Sequence, residues 1–185
     1  IVDSAGRVYP SIRREPSIGR ALGDALFGGK VTARPSWSGE MVTDERSYTR
    51  AGDIAWATGA AMLVSGRCVA DVGAWDEGYF LYSEETDYFR RSRDAGYRVR
   101  HVPDAVVTHA QGASGSSDRL AALLTVNRVR YYEKFHTVPA AATYRAVVAL
   151  HCALRIHKAA NRLALWALIS RPAAHRLRRP PETSP

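Results

Sequence analysis

The sequence predicts an α/β domain followed by a basic, mainly helical C-terminal extension. Three observations carry that expectation. Short extended pieces alternate with capped helices up to about residue 137, the run Ala-Ala-Met-Leu-Val at 60–64 has the character of a strand covered on both faces, and residues 138–170 are rich in Ala, Leu and Val. With 185 residues, 46% of them apolar, there is enough material for one packed domain. The 14 Gly and 9 Pro exclude collagen-like and low-complexity classes. Cys68 and Cys152 stand too far apart for a CxxC site or a disulfide framework, which fits a reducing, cytosolic setting. The chain opens on Ile1 without a secretory leader, as a fragment of a longer protein would.

Taken in order, Asp3-Ser4-Ala5-Gly6 reads as a turn, Val8-Tyr9 as a strand, and Glu15-Pro16-Ser17 as the entry to a helix near 17–27. Residues 28–52, polar and rich in Gly, Ser and Thr, read as a long mobile loop. After the apolar run at 60–64, Ser65-Gly66 turns into a short helix over 67–72, and the aromatic stretch 75–82 reads as loop. Ser83 is placed to cap a helix from Glu84 to about Ala95, with Gly96 as its stop. Residues 97–102 alternate as an edge strand, Pro103-Asp104 turns, and 105–108 form another short strand.

Residues 110–117 are too small and polar to build a core and read as a flexible loop. Ser117 or Asp118 then caps a long helix that ends near His136. Beyond Pro139, residues 140–170 are interrupted by Arg, His and Lys, so an interfacial amphipathic helix is expected rather than a spanning one. Residues 171–185 read as a basic, disordered tail, giving the division 1–137, 138–170 and 171–185.

The net charge of +8 is unevenly distributed. Residues 1–118 hold 14 Lys/Arg against 16 Asp/Glu, whereas 119–185 hold 12 against 2. All the excess basicity is C-terminal, and without a zinc finger, KH loop or RNP motif a nucleic-acid partner is not expected. An anionic membrane surface suits the C-terminal part better, with Leu163, Leu165, Trp166 and Leu168 beside Arg and Lys.

The segment Phe80-Leu81-Tyr82-Ser83-Glu84-Glu85-Thr86-Asp87 carries three carboxylates at a helix start. They can complement the helix dipole, and Asp87 can pair with Arg91 one turn on. They can instead act on a hydroxyl proton, because a carboxylate fixed at a helix start among aromatics is suited to general-base work. Glu85-Thr86-Asp87 also has the look of a diacid metal motif. His109 ends a short strand, where an imidazole is either a polar cap or one ligand of a cation whose other ligands come from elsewhere. Arg128 and Arg130, beside Tyr131 and Tyr132, are either a solvated helix face or phosphate contacts.

In order, Trp56 before Thr58-Gly59-Ala60 and the apolar run, Gly73 with Trp75-Asp76-Glu77, the aromatic-acidic helix start, Gly96-Tyr97, Val102-Pro103-Asp104-Ala105 and His109 resemble the C-terminal half of a family 2 glycosyltransferase. The resemblance is nearest to the bacterial rhamnosyltransferase-like branch and extends over roughly residues 1–137. It implies a GT-A fold, related to a Rossmann unit, and inverting transfer from a nucleotide-sugar donor to a lipid-linked or polysaccharide acceptor in cell-wall or surface-glycan assembly. It further implies Glu85 as base, with Glu84 and Asp87 beside it, and Trp56, Thr58, Gly59, Ala60 and Arg128 on the donor and acceptor side. His109 takes the place of a ligand to a divalent cation, Mg2+ or Mn2+. The family pattern has Asp where this chain has Glu85, a change that moves the carboxylate by about 1 Å, a shift that can cost about a hundredfold in rate. The first nucleotide-binding strands and the Asp-x-Asp motif fall outside these residues, so the chain alone is expected to be inactive. The localisation implied is cytoplasmic, peripheral at the inner face of the plasma membrane. The rival reading is a non-catalytic membrane-surface module that keeps a transferase-like fold.

Overall fold

The computed structural model describes residues 1–28, 38–109 and 117–178. It is a mixed α/β arrangement in which helices dominate and the strands are short. The strands are β1 (Ile12–Arg13), β2 (Gly52–Asp53), β3 (Trp56–Ala57) and β4 (Arg100–His101). The helices are α1 (Ile18–Phe27), α2 (Arg46–Thr49), α3 (Gly66–Val72), α4 (Glu84–Asp94), α5 (Asp118–Phe135), α6 (Val138–Leu154), α7 (Ala159–Ile169) and α8 (Arg171–Leu177).

Local chemistry explains most helix ends. Ser17, Ser65, Ser117 and Ser170 each accept, through the side chain, from an amide in the first turn of the helix that follows. Pro139 lies in the first turn of α6, where its missing N–H costs nothing. Gly96, at φ +86°, closes the loop after α4 as expected.

The strands pair antiparallel, β1 with β3 and β2 with β4, and single bridges join Val2 to Val8 and to Thr108. Of the strand expected at 97–102 only Arg100–His101 forms, and of 105–108 only the Thr108 bridge. Residues 60–64 are a correction. They form a turn and irregular chain, with Leu63 wholly exposed, because among the described residues no neighbouring strand offers them a ladder. Of residues 28–52, expected to be all loop, 38–52 contain α2, the start of β2 and a bridge from Arg13 to Met41; 29–37, and 110–116 of the loop expected at 110–117, lie outside the described residues.

The core lies between helices. Ala21 of α1 joins Leu123, Val126, Val129 and Tyr132 of α5, Tyr144, Val148 and Cys152 of α6, Ala164 and Leu168 of α7, and Leu177 of α8. Each such Leu or Val contributes about 1.5–3 kcal/mol by leaving water. Rings reinforce it, with Tyr132 stacked on Tyr144 at a centroid separation of 3.9 Å. Leu168 is buried here and Leu163 and Leu165 pack against the same core, so of the residues expected at a membrane face only Trp166 is exposed. The apolar period that suggested an interfacial stripe is satisfied by α5 and α6 instead. Residues 171–177, expected as disordered tail, are helical because Ser170 caps them and Ala173 and Leu177 enter the core; 179–185 lie outside the described residues. Among the described residues no helix is long and apolar enough to cross a membrane. A smaller cluster, Ile12, Val42 and Tyr48, lies under β1, and the Tyr48 hydroxyl donates to the Val42 carbonyl at 2.7 Å while accepting from the Ile12 amide at 3.0 Å.

Candidate active site

The acidic helix start is reached through an unusual turn. After a short 3-10 turn over Glu77–Tyr79, Phe80, Tyr82 and Ser83 have φ of +64°, +68° and +71°. Each such non-glycine conformation costs about 1–3 kcal/mol and persists only where surrounding contacts impose it. Here the contacts come from α5. The fully buried Asn127 donates its side-chain amide to the carbonyls of Tyr79 and Leu81, both at 2.8 Å, and Tyr82 at 3.2 Å. Arg178, at the end of α8, in turn donates to the Asn127 carbonyl oxygen at 3.3 Å. Ser83 occupies the cap position of α4 but its hydroxyl makes no cap bond, since a capping side chain needs extended backbone.

The three carboxylates then part company. Asp87 is fully buried and saturated, accepting from Arg91 at 2.7 Å, Lys134 at 2.6 Å and the Tyr79 hydroxyl at 3.5 Å. It ties α4 to α5 and to the turn. Glu84 and Glu85 each keep one oxygen that is out of solvent and has no hydrogen-bond partner. Burial pushes Glu85 up to about 7, helped by the neighbouring Glu84 charge and opposed by Arg13, and burial also raises Glu84. A buried acceptor without a donor costs about 1–3 kcal/mol, so such a pair is either strained or waiting for a donor.

Thr58 and Gly59 lie on this side. The Thr58 hydroxyl is likewise buried without a partner, and a methyl at Gly59 would sit 3.5 Å from the Glu85 Cβ. The approach of this turn to Glu85 is therefore close. Trp56 holds the turn in place, since its indole N–H donates to the Arg14 carbonyl at 3.0 Å and β3 pairs with β1 beside it. Ala60 is exposed at the turn.

Arg128 is not brought to these carboxylates. It donates to Asp24 of α1 at 2.9 Å and to Glu40, an ion-pair knot between α5, α1 and the segment before α2. His109 is exposed, with its amide donating to the Val2 carbonyl at 3.0 Å. Among the described residues no group of three His, Cys, Asp or Glu side chains is placed to hold a metal ion, so these residues alone do not make a cation site around His109. Asn127 was not anticipated from the sequence. Its trace was there, a polar residue one turn after Leu123 and one before Tyr131, on the face that points into the core.

The arrangement is a raised carboxylate with an unused oxygen, a second carboxylate beside it, and a close-approaching Thr-Gly turn, which is suited to accepting a proton from an incoming hydroxyl. No family model matches the chain, and no solved structure does. Two curated proteins do: the N-acetylglucosaminyl-diphospho-decaprenol L-rhamnosyltransferases of two Mycobacterium tuberculosis strains, CDC 1551 / Oshkosh and ATCC 25618 / H37Rv. Each is 32% identical over 131 residues, 71% of this chain. The matched region spans 42% of each relative's length. The similarity supports a glycosyltransferase relationship.

Proposed function

We propose that the chain is the acceptor-side part of an inverting, GT-A type glycosyltransferase of family 2, and that Glu85 is its general base. The observation that carries this reading is the Glu85 carboxylate itself, raised to about 7, with one oxygen unpartnered and Gly59 held against it. A sugar hydroxyl is a poor nucleophile near neutral pH, and a carboxylate that titrates close to the working pH takes its proton most effectively as the new glycosidic bond forms. Burial first, and the Glu84 charge second, keep the Glu85 pKa up, and Asn127, Asp87 and Trp56 restrain the turns that carry the site.

In this reading the donor is a nucleotide sugar, including a rhamnosyl donor, and the acceptor is a lipid-linked or polysaccharide sugar of cell-wall or surface-glycan assembly. It rests on the similarity to the mycobacterial relatives and on the site. A doubly wound sheet binds its nucleotide across strands that include the first one, and the resemblance puts that strand outside these residues, so in this reading the chain alone is inactive. A divalent cation, when bound, would neutralise the leaving diphosphate; His109 can supply one ligand, and no step here is derived through it. The protein works in the cytoplasm at the inner face of the membrane, with exposed Trp166 and Ile169 near Lys158, Arg162 and Arg171 as the side that meets anionic lipid.

The test is sugar transfer to a polyprenyl-diphosphate-linked acceptor, with the upstream half restored. Glu85→Gln is expected to lose about a hundredfold to ten-thousandfold in rate, and Glu84→Gln much less. Full activity in the Glu85 variant rejects the assignment.

A further inference from the structure

Helices α1 and α6 lie side by side and run parallel. Ala21 and Asp24 border one small cavity with Val148 and His151, and further along both helices the Ala25 carbonyl accepts from Arg155 at 2.9 Å. The residues that follow buried Ala21 and Ala25 on α1 are Leu22 and Leu26; those that precede His151 and Arg155 on α6 are Leu150 and Leu154. Each residue of a helix advances about 100°, so in a parallel pair one step past the contact on one helix and one step before it on the other turn the side chains to the same side. The four leucines therefore share one surface. All are exposed, Leu26 by 63% and Leu154 by 58%, and Ile156, which follows, is exposed too.

This apolar surface ends among cations that have no carboxylate partner. Arg155 donates to the Ala25 and His151 carbonyls, Arg162 to the Ile156 and His157 carbonyls, and the Lys158 side chain makes no hydrogen bond or ion pair among the described residues. Two carboxylates touch this end of the fold, and both are engaged: Asp24 accepts from Arg128 at 2.9 Å and Asp118 from the Ala160 amide at 3.2 Å. Residues 134–181 hold nine Lys/Arg and no Asp/Glu. A second copy of the chain is poorly matched to such a surface, because a two-fold contact would set the cationic rim against itself. An anionic lipid surface is matched on both counts, since the leucines can enter the acyl boundary while Lys158 and Arg162 stay among the headgroups.

We propose that the surface formed by Leu22, Leu26, Leu150 and Leu154 docks on an anionic lipid bilayer. The proposal takes its partner from the membrane reading of the function, but the surface is a different one from Trp166 and Ile169. Arg145, early in α6, donates to the Leu168 carbonyl, so Ile169 lies by the start of α6 and Leu154 at its end.

Sedimentation of the 185-residue chain with phosphatidylcholine vesicles, with and without phosphatidylglycerol, tests it. Binding to the mixed vesicles is expected, and Leu26→Gln/Leu154→Gln is expected to weaken it at least about tenfold with the melting temperature unchanged. Leu22→Gln/Leu150→Gln is a second, independent pair with the same expectation. Lys158→Gln/Arg162→Gln is expected to weaken binding to the mixed vesicles at least about tenfold and leave binding to phosphatidylcholine alone unchanged. If both leucine pairs bind as the parent does while Trp166→Gln/Ile169→Gln does not, the proposal is overturned and the membrane reading stands on α7. No binding to the mixed vesicles overturns both, and a dimer in light scattering that the leucine substitutions dissociate, without vesicle binding, gives the surface to a second copy instead.

Discussion

Asn127 donates to the Tyr79 carbonyl at 2.8 Å across 48 residues of chain, joining the middle of the longest helix to the turn that carries the carboxylates. The same amide group serves Leu81 and Tyr82, so one side chain restrains a turn with three left-handed non-glycine residues. Replacing Asn127 by Leu keeps the volume near and strands buried carbonyls. Stability is expected to fall by at least about 2 kcal/mol in urea unfolding, with transfer reduced through kcat.

Glu85 gives stability an unusual pH dependence. Its folded-state pKa, about 7, lies above the ordinary 4.5, so the folded protein holds this proton more tightly than the unfolded chain. The contribution is full below the ordinary value and is lost as pH rises through about 7. Glu85→Gln has no such loss, and the melting-temperature gap between variant and parent is expected to widen in the variant's favour from pH 5 to pH 8. A gap that does not change with pH would show that the carboxylate is not desolvated.

Asp87 is a different kind of acid. Asp87→Ala leaves Lys134 and Arg91 facing an empty buried position, and a loss of about 3–5 kcal/mol is expected. Its measure is the unfolding midpoint. An Asp87 variant that keeps its stability and loses only transfer would make Asp87 part of the chemistry.

Arg128 should report on folding in the same way. Arg128→Ala leaves Asp24 and Glu40 partly buried without their shared cation, and Glu40 is already raised by burial. The expected fall is about 3–5 kcal/mol, and Arg128→Ala/Glu40→Gln recovers part of it in a double-mutant cycle.

What could be read from the residues depended on how local the cause was. Ser17, Ser117 and Gly96 act within one turn of chain, and the helices they bound stand where the sequence puts them. The acidic helix start was equally visible, but not the split within it: whether Asp87 or Glu85 keeps a spare oxygen is decided by Lys134, 47 residues away. The run at 60–64 misled because a strand needs a partner as well as a pattern. Leu163 and Leu165 misled for the opposite cause, since a stripe suited to lipid is equally suited to a neighbouring helix.

The bond from Arg178 to Asn127 makes α8 an observation post for chemistry that happens far from it in sequence. His175 is exposed on that helix, while both native thiols are buried, so a fluorophore attached at His175→Cys alone can watch the carboxylate-bearing turn without touching it. Loosening of the turn, by substrate or by mutation, becomes visible as a change in emission.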